Sequence, residues 1–209
     1  RGFLRLARYP SFLKIVGTAQ RYHRDAWARF GEWAKPAPDR VSSNAMARRP
    51  RRIRKGKLYE VTLKTFQGRF FFVPSRQLNL LLLGVLAYAQ IKYGLKVCWV
   101  TFLSNHGHIL VRADSADQVR DFFCLANSQM SKEAQRFAKW TGGIFRKRAT
   151  ITEVTDTPEA QIARLRYCMS QGVKEGLCPT PEAWPGVQAA TAWVNGKMAM
   201  VGHWINRTD

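Results

Sequence analysis

The pattern of apolar and polar positions divides the chain into short runs typical of strands and longer runs typical of helices. Strands are predicted at 58–66, 97–103, 106–111 and 149–154, and helices at 75–93 and 114–140. The order strand, helix, strand, strand, helix, strand is that of the ferredoxin-like pattern. We therefore predict an α+β fold in which helices pack on an antiparallel sheet.

A further helix is predicted after the last strand, because its end signals are clear. Thr157 is a good N-cap, Pro158 suits the first helical position, and Gly172 is typical of the residue just past a helix end. Tyr167 and Gln171 are four positions apart, so they share one face of this helix. A phenol and an amide oxygen are thus predicted to approach the same site.

Two of the chain's 4 histidines, His106 and His108, are separated by one residue at the start of a predicted strand. Side chains two apart on a strand point to the same face, so the two imidazoles lie side by side. Such a pair suits a metal ion, although two polar residues at a strand start give the same pattern. A third ligand and a nucleophile are needed for an enzyme, and Gln171 and Tyr167 are the candidates.

This combination of a His-x-His strand and a later helix with a single Tyr and an amide four residues on resembles the single-tyrosine HUH transposases, in particular the REP-associated tyrosine transposases. The matching segments are 103–111 and 167–177, followed by 181–186, and the resemblance extends roughly from position 46 to the C-terminus. Two residues depart from the family pattern: Gly107 replaces a hydrophobic residue, and Gly172 stands where Pro is frequent.

The resemblance implies the HUH endonuclease fold and a DNA transposase that cuts single-stranded DNA. Tyr167 would attack phosphorus, form a 5'-phosphotyrosine and release a 3'-hydroxyl, and reversal by another 3'-hydroxyl would rejoin the strand. His106, His108 and Gln171 would hold Mg2+ or Mn2+, which leaves coordination positions for phosphodiester oxygens. The implied partner is single-stranded or hairpin DNA, bound by a monomer or a homodimer.

The charge of the chain favours a polyanionic partner, since 34 Lys and Arg against 14 Asp and Glu give a net charge of +20. Ribosomal or membrane-surface binding would give the same excess, so charge does not identify a reaction. The run of cations between 48 and 57 suits phosphate contact, although it could also be a solvated tail. We predict DNA contacts at Arg48, Arg49, Arg51, Arg52, Arg54, Lys55, Arg146, Lys147, Arg148 and Lys174.

The chain is long enough for one domain and an extension. Residues 1–45 show no clean period, and we interpret them as an appended or poorly ordered extension before a transposase domain at 46–209, in which 46–57 form a basic arm. No transmembrane or signal segment is apparent. The 4 cysteines lack a metal-ligand spacing and are interpreted as small buried residues of a cytoplasmic protein.

Two other functions stay open from the sequence. A noncatalytic, domesticated relative would keep the fold and the charge without cutting DNA. A zinc hydrolase would act through water, with Tyr167 merely packed.

Overall fold

The described part of the chain consists of six strands and five α-helices around one main sheet. The computed structural model describes residues 14–19, 52–146, 148–196 and 199–205. The strands are β1 (Lys14–Ala19), β2 (Leu58–Lys64), β3 (Lys96–Phe102), β4 (His106–Arg112), β5 (Thr150–Glu153) and β6 (Ala199–Trp204). The helices are α1 (Arg76–Tyr93), α2 (Ala116–Ala138), α3 (Pro158–Met169), α4 (Gln171–Lys174) and α5 (Ala190–Val194).

The main sheet has the strand order β3-β4-β2-β5. All three pairings in it are antiparallel, so β2 is parallel to β3 and β4 is parallel to β5. Each parallel pair is connected by a helix, α1 in the first case and α2 in the second. This is the ferredoxin-like arrangement, and the predicted fold class is confirmed.

The predicted helix boundaries follow from local end signals. The side chain of Ser75 accepts a hydrogen bond from the Leu78 N–H at the start of α1, and Gly94 ends this helix in the left-handed conformation. Ser115 caps α2 in the same way through the Gln118 N–H. Phe137 is apolar but 39% exposed, since it lies in the last turn of α2, beyond the last buried residue of the helix.

Helix α1 is apolar on nearly all sides and is buried between two layers. Its residues share one core cluster with Val61, Ile109 and Val111, which project from one face of the main sheet. On its other side α1 contacts the parallel pair of β1 and β6. A side chain at Gly84 or Gly202 would overlap the facing backbone, so these two glycines permit the close approach. Within the described residues no helix is long and apolar enough to cross a membrane.

Strand β1 belongs to the segment 1–45 that the sequence suggested was an extension. The structure places residues 14–19 beside β6, whereas the other residues of this segment lie outside the described ranges.

Residues 54–57 of the predicted basic arm contact the domain. The Arg54 N–H donates to the Tyr59 hydroxyl at 2.7 Å, and the Gly56 N–H donates to the Ala113 carbonyl at 2.8 Å.

The second face of the main sheet is covered by α3, and the segment at 187–189 pairs with the edge strand β3. The Thr101 hydroxyl, on β3, donates to the Cys168 carbonyl of α3 at 3.2 Å. The Phe102 N–H donates to the Val187 carbonyl at 2.8 Å, which extends the edge of the sheet. Helix α3 is therefore fixed across the face that carries the histidines.

Two predictions about cysteine and glycine positions are wrong. Cys168 is buried, but Cys124 is exposed on α2, so the cysteines are not all core residues. Helix α3 ends at Met169 rather than at Gly172, and Gly172 is a buried residue of α4. An added Cβ at Gly172 would lie 2.8 Å from the Cys178 sulfur, so packing rather than helix termination favours a glycine here.

Candidate functional site

His106 and His108 lie on the same face of β4, as their spacing predicted. Their ring centroids are 5.2 Å apart, with the ring planes nearly perpendicular. Gly107 points to the opposite face, where the ring of its cross-strand partner Phe102 would be 2.6 Å from an added side chain. The departure of Gly107 from a hydrophobic residue is thus explained by the Phe102 ring, which fills the space.

Each of the two imidazoles has its Nδ1 atom beside an oxygen. In His106, Nδ1 is 2.7 Å from the Asn105 side-chain oxygen, and in His108, Nδ1 is 2.7 Å from a carboxylate oxygen of Glu60. These oxygens accept hydrogen bonds, so Nδ1 is the donor in both rings. In the neutral imidazoles Nε2 then keeps its lone pair, which is the arrangement that a metal-ligating histidine needs.

Burial also favours the neutral form of His106. Burial and the neighbouring His108 lower the pKa of His106, and they outweigh Glu175 and a hydrogen bond with Gln171, which act in the opposite direction. Gln171 is 4% exposed, and its Nε2 donates to the Tyr167 carbonyl at 2.9 Å. A buried amide and two imidazoles therefore converge at one end of the main sheet.

Tyr167 lies beside the histidines. Its ring centroid is 5.7 Å from that of His108, in an edge-to-face arrangement. The residue is 38% exposed, so its side chain is accessible to a large substrate. The Lys174 ammonium lies 4.6 Å from the ring centroid, and the Arg164 guanidinium carbon lies at 5.4 Å. Two cations thus flank the phenol.

The other tyrosines that the structure describes have packing roles. Tyr59 is buried on β2, and Tyr88 stacks on Trp204 with ring centroids 4.3 Å apart. Tyr93 is half-buried at the end of α1. Among the tyrosines in the described ranges, Tyr167 is the exposed one beside the histidine pair.

Glu60 is a component of the site that the sequence analysis missed. It is 4% exposed, and besides His108 it accepts a 2.7 Å hydrogen bond from Arg164 and a longer one, 3.7 Å, from the Cys168 thiol. Burial alone would raise the pKa of Glu60, but the hydrogen bond with His108 and the charge of Arg164 hold that pKa below its usual value. The sequence did not single out Glu60, because the alternation of apolar and polar residues in β2 gives no sign that α3 covers that face.

Glu60, His108 and Cys168 also form a buried group that could hold a divalent cation, since one ligand atom of each lies within 4.8 Å of the others. Burial and the neighbouring carboxylate raise the pKa of the Cys168 thiol, so the sulfur keeps its proton. All three residues are at most 4% exposed. This group therefore lacks the open position that a catalytic metal offers to a substrate.

The predicted DNA contacts are distributed over both ends of the main sheet. Lys174 lies at the Tyr167 ring, and Arg146 and Arg148 are exposed in the loop before β5. Arg54 pairs with Glu153 at 2.5 Å, at the end of the sheet opposite His106. Arg52 and Lys55 are exposed near it. The remaining candidates lie outside the described residues: Arg48, Arg49, Arg51 and Lys147.

No known family profile matches the sequence, and no curated protein matches it. Among solved structures, the chain is similar to a REP-associated tyrosine transposase bound to a REP hairpin, with 15% identity and a TM-score of 0.55 over 78% of this chain and 96% of that one. A candidate transposase from Deinococcus radiodurans R1 has 15% identity and a TM-score of 0.41 over 58% of this chain and 96% of that one, and supports no argument. The first likeness confirms the resemblance at the level of the fold.

Proposed function

We propose that the protein is a DNA transposase that cuts and rejoins single-stranded DNA through Tyr167 with the help of a divalent metal ion. The observation that carries this proposal is the position of an exposed Tyr167 ring 5.7 Å from His108, on the face where His106 and the buried Gln171 amide converge. The similarity to a transposase fold and the net charge of +20 support the same class of activity.

His106, His108 and Gln171 are the proposed ligands of Mg2+ or Mn2+. The donor chemistry fits, because both Nδ1 atoms are engaged by oxygens, both Nε2 atoms remain as ligands, and the amide supplies an oxygen. When bound, the cation would supply Lewis-acid polarisation of a phosphodiester oxygen. Glu60 would hold His108 in the ligand tautomer, and Arg164 would hold Glu60.

Tyr167 is the proposed nucleophile. Its phenol oxygen forms a bond to phosphorus and gives up its proton, while the bond from phosphorus to the 3'-oxygen breaks and that oxygen leaves as a hydroxyl after taking up a proton. The DNA is then linked to the protein as a 5'-phosphotyrosine. Lys174 and Arg164, which flank the ring, would offset the negative charge that the phosphate brings to this position.

The covalent intermediate preserves the energy of the phosphodiester. Attack by a different 3'-hydroxyl forms a new phosphodiester and releases the tyrosine, so strands are exchanged without ATP. A hairpin is the proposed target, because the REP-associated tyrosine transposase of similar fold is bound to one.

The experiment that tests this function uses the full chain, a single-stranded DNA hairpin with flanking sequence, and Mg2+ or Mn2+. A covalent protein-DNA band on a denaturing gel, dependent on the metal, is expected. Tight binding without cleavage would instead favour a noncatalytic DNA-binding protein with the same fold and charge. Metal-dependent cleavage without a covalent band would favour hydrolysis by water.

A further inference from the structure

Two loops meet beside the histidine pair and form one continuous surface, here called the aromatic loop surface. It consists of the loop at 65–73 and the loop at 139–146. The Phe66 N–H donates to the Ile144 carbonyl at 2.7 Å, and the Arg146 N–H donates to the Lys64 carbonyl at 2.9 Å. The Phe72 and Phe145 rings pack between the loops, with centroids 5.4 Å apart.

Hydrogen bonds attach this surface to the turn that precedes His106. The Thr65 N–H donates to the Asn105 carbonyl at 2.9 Å, and the Phe72 N–H donates to the Ser104 carbonyl, also at 2.9 Å. Lys64, the last residue of β2, is the cross-strand partner of His106. A strand of DNA that leaves the histidine pair at this end of the sheet would therefore pass over the aromatic loop surface.

The surface exposes two phenylalanines in a defined backbone conformation. Phe66 is 42% exposed and Phe70 is 68% exposed. Between them Gln67 and Gly68 both adopt positive φ angles, of 53° and 71°, and the Gly68 N–H donates to the Thr65 carbonyl. Exposed aromatic rings held on an ordered turn are typical of a binding surface.

The same surface carries several cations. The Arg69 guanidinium lies 4.5 Å from the centroid of the Trp140 ring, and that ring packs in turn on Phe71 at 5.7 Å. Lys139 and Arg146 are exposed on the second loop. The stretches 61–113 and 134–152, which include both loops, contain no Asp or Glu. The charge of the surface is thus complementary to a polyanion.

We propose that the aromatic loop surface binds the unpaired bases next to the cleavage position, with Phe66 and Phe70 stacking on bases and Arg69 and Arg146 contacting phosphates. Alternation of aromatic rings and cations is the chemistry that holds single-stranded nucleic acid without a paired partner strand. A base-paired stem hides its base faces, so the rings would distinguish unpaired DNA from duplex DNA. This inference rests on the proposed function for the identity of the ligand.

The test measures DNA binding without metal, in a Tyr167→Phe background, so that cleavage does not interfere. The probe is a single-stranded oligonucleotide with 2-aminopurine, whose fluorescence falls when the base stacks. Phe66→Ala and Phe70→Ala should each weaken binding roughly 5- to 150-fold and relieve the quenching. Ile91→Ala is the control. Ile91 on α1 is 64% exposed, close to the 68% of Phe70, but it lies outside the aromatic loop surface.

Salt dependence separates the two kinds of contact. Arg69→Ala and Arg146→Ala should each reduce the slope of log affinity against log salt by about 0.7, whereas the Phe variants should leave that slope unchanged. Binding to a fully paired duplex should be insensitive to the Phe variants.

The inference is overturned if Phe66→Ala and Phe70→Ala bind the single strand as tightly as Ile91→Ala does, or if they lose duplex binding equally. A covalent adduct from the parent protein would leave the proposed function standing in that case. Conversely, the protein could stack bases on this surface and never form a covalent adduct. That result would support the inference about the aromatic loop surface and contradict the proposed transposase chemistry.

Discussion

The Nδ1 atom of His108 lies 2.7 Å from a carboxylate oxygen of Glu60, and both side chains are at most 4% exposed. Arg164 holds the second carboxylate oxygen at the same distance. The position of the imidazole is therefore determined by a buried, charged group on the neighbouring strand and, through it, by the helix that carries Tyr167. This chain of contacts connects the proposed metal ligand to the proposed nucleophile.

Glu60→Gln should weaken metal binding without abolishing DNA binding. The amide oxygen can still accept from His108, but the loss of the negative charge makes the imidazole a weaker ligand, and changes of this kind typically cost 10- to 100-fold in metal affinity. Calorimetric titration of Mn2+ measures the effect. Glu153→Gln is the control, because Glu153 is an ion-paired glutamate at the far end of the sheet. Equal Mn2+ affinity in the parent protein and Glu60→Gln would contradict the role assigned to Glu60.

The stability of the fold should contain an acid-sensitive contribution from Glu60. Its pKa is lower in the folded state than in an unfolded chain, because the interactions with His108 and Arg164 exceed the cost of burial. The contribution is therefore fully present above the pKa of an ordinary glutamate, about 4.3, and is lost as pH falls through the lower folded pKa.

Urea unfolding of the parent protein and Glu60→Gln between pH 7 and the acid range measures this contribution. The difference in free energy of unfolding between the two proteins should shrink on acidification. A difference that stays constant with pH would show that the folded state does not lower the pKa of Glu60.

His106→Ala and His108→Ala should each abolish metal-dependent cleavage and leave most of the DNA affinity. Binding depends on many Lys and Arg side chains, whereas polarisation of one phosphate depends on the metal. Gln171→Ala should weaken Mn2+ binding less, since water can replace one amide ligand. Unchanged Mn2+ affinity in both His variants would remove the metal site from this face.

Cys168→Ser distinguishes the two possible metal sites within the same titration. If His106, His108 and Gln171 hold the metal, this variant should bind Mn2+ as the parent protein does. A large loss on this substitution would assign the metal to the buried group of Glu60, His108 and Cys168 instead.

The order of the elements was predictable from the sequence because each one carries its own signals. Alternation identified β2, the N-cap Thr157 and Pro158 marked the start of α3, and the spacing of His106 and His108 fixed their common face. What the sequence could not give depends on contacts between distant segments. The alternation of β2 gives no sign that α3 covers the face that carries Glu60.

The other differences have similar causes. Gly172 was interpreted as a helix end, but α3 already ends before Ser170, and the Cys178 sulfur packed against Gly172 favours a glycine there. Strand β1 was not predicted, since its segment shows no clean period and its partner β6 lies about 185 residues further along the chain.

The covalent role of Tyr167 is the central claim, and Tyr167→Phe tests it most directly. The ring and its packing on His108 are retained, so the variant should fold, bind Mn2+ and bind single-stranded hairpin DNA as the parent protein does. Tyr93→Phe, a change at a half-buried tyrosine of α1, is the matched control. The measurement is a denaturing gel with labelled DNA, followed by peptide mapping of the adduct. We expect an adduct on Tyr167 in the parent protein and in Tyr93→Phe, and neither adduct nor cleavage in Tyr167→Phe. An adduct on another tyrosine, or cleavage by Tyr167→Phe near the parent rate, would contradict the mechanism.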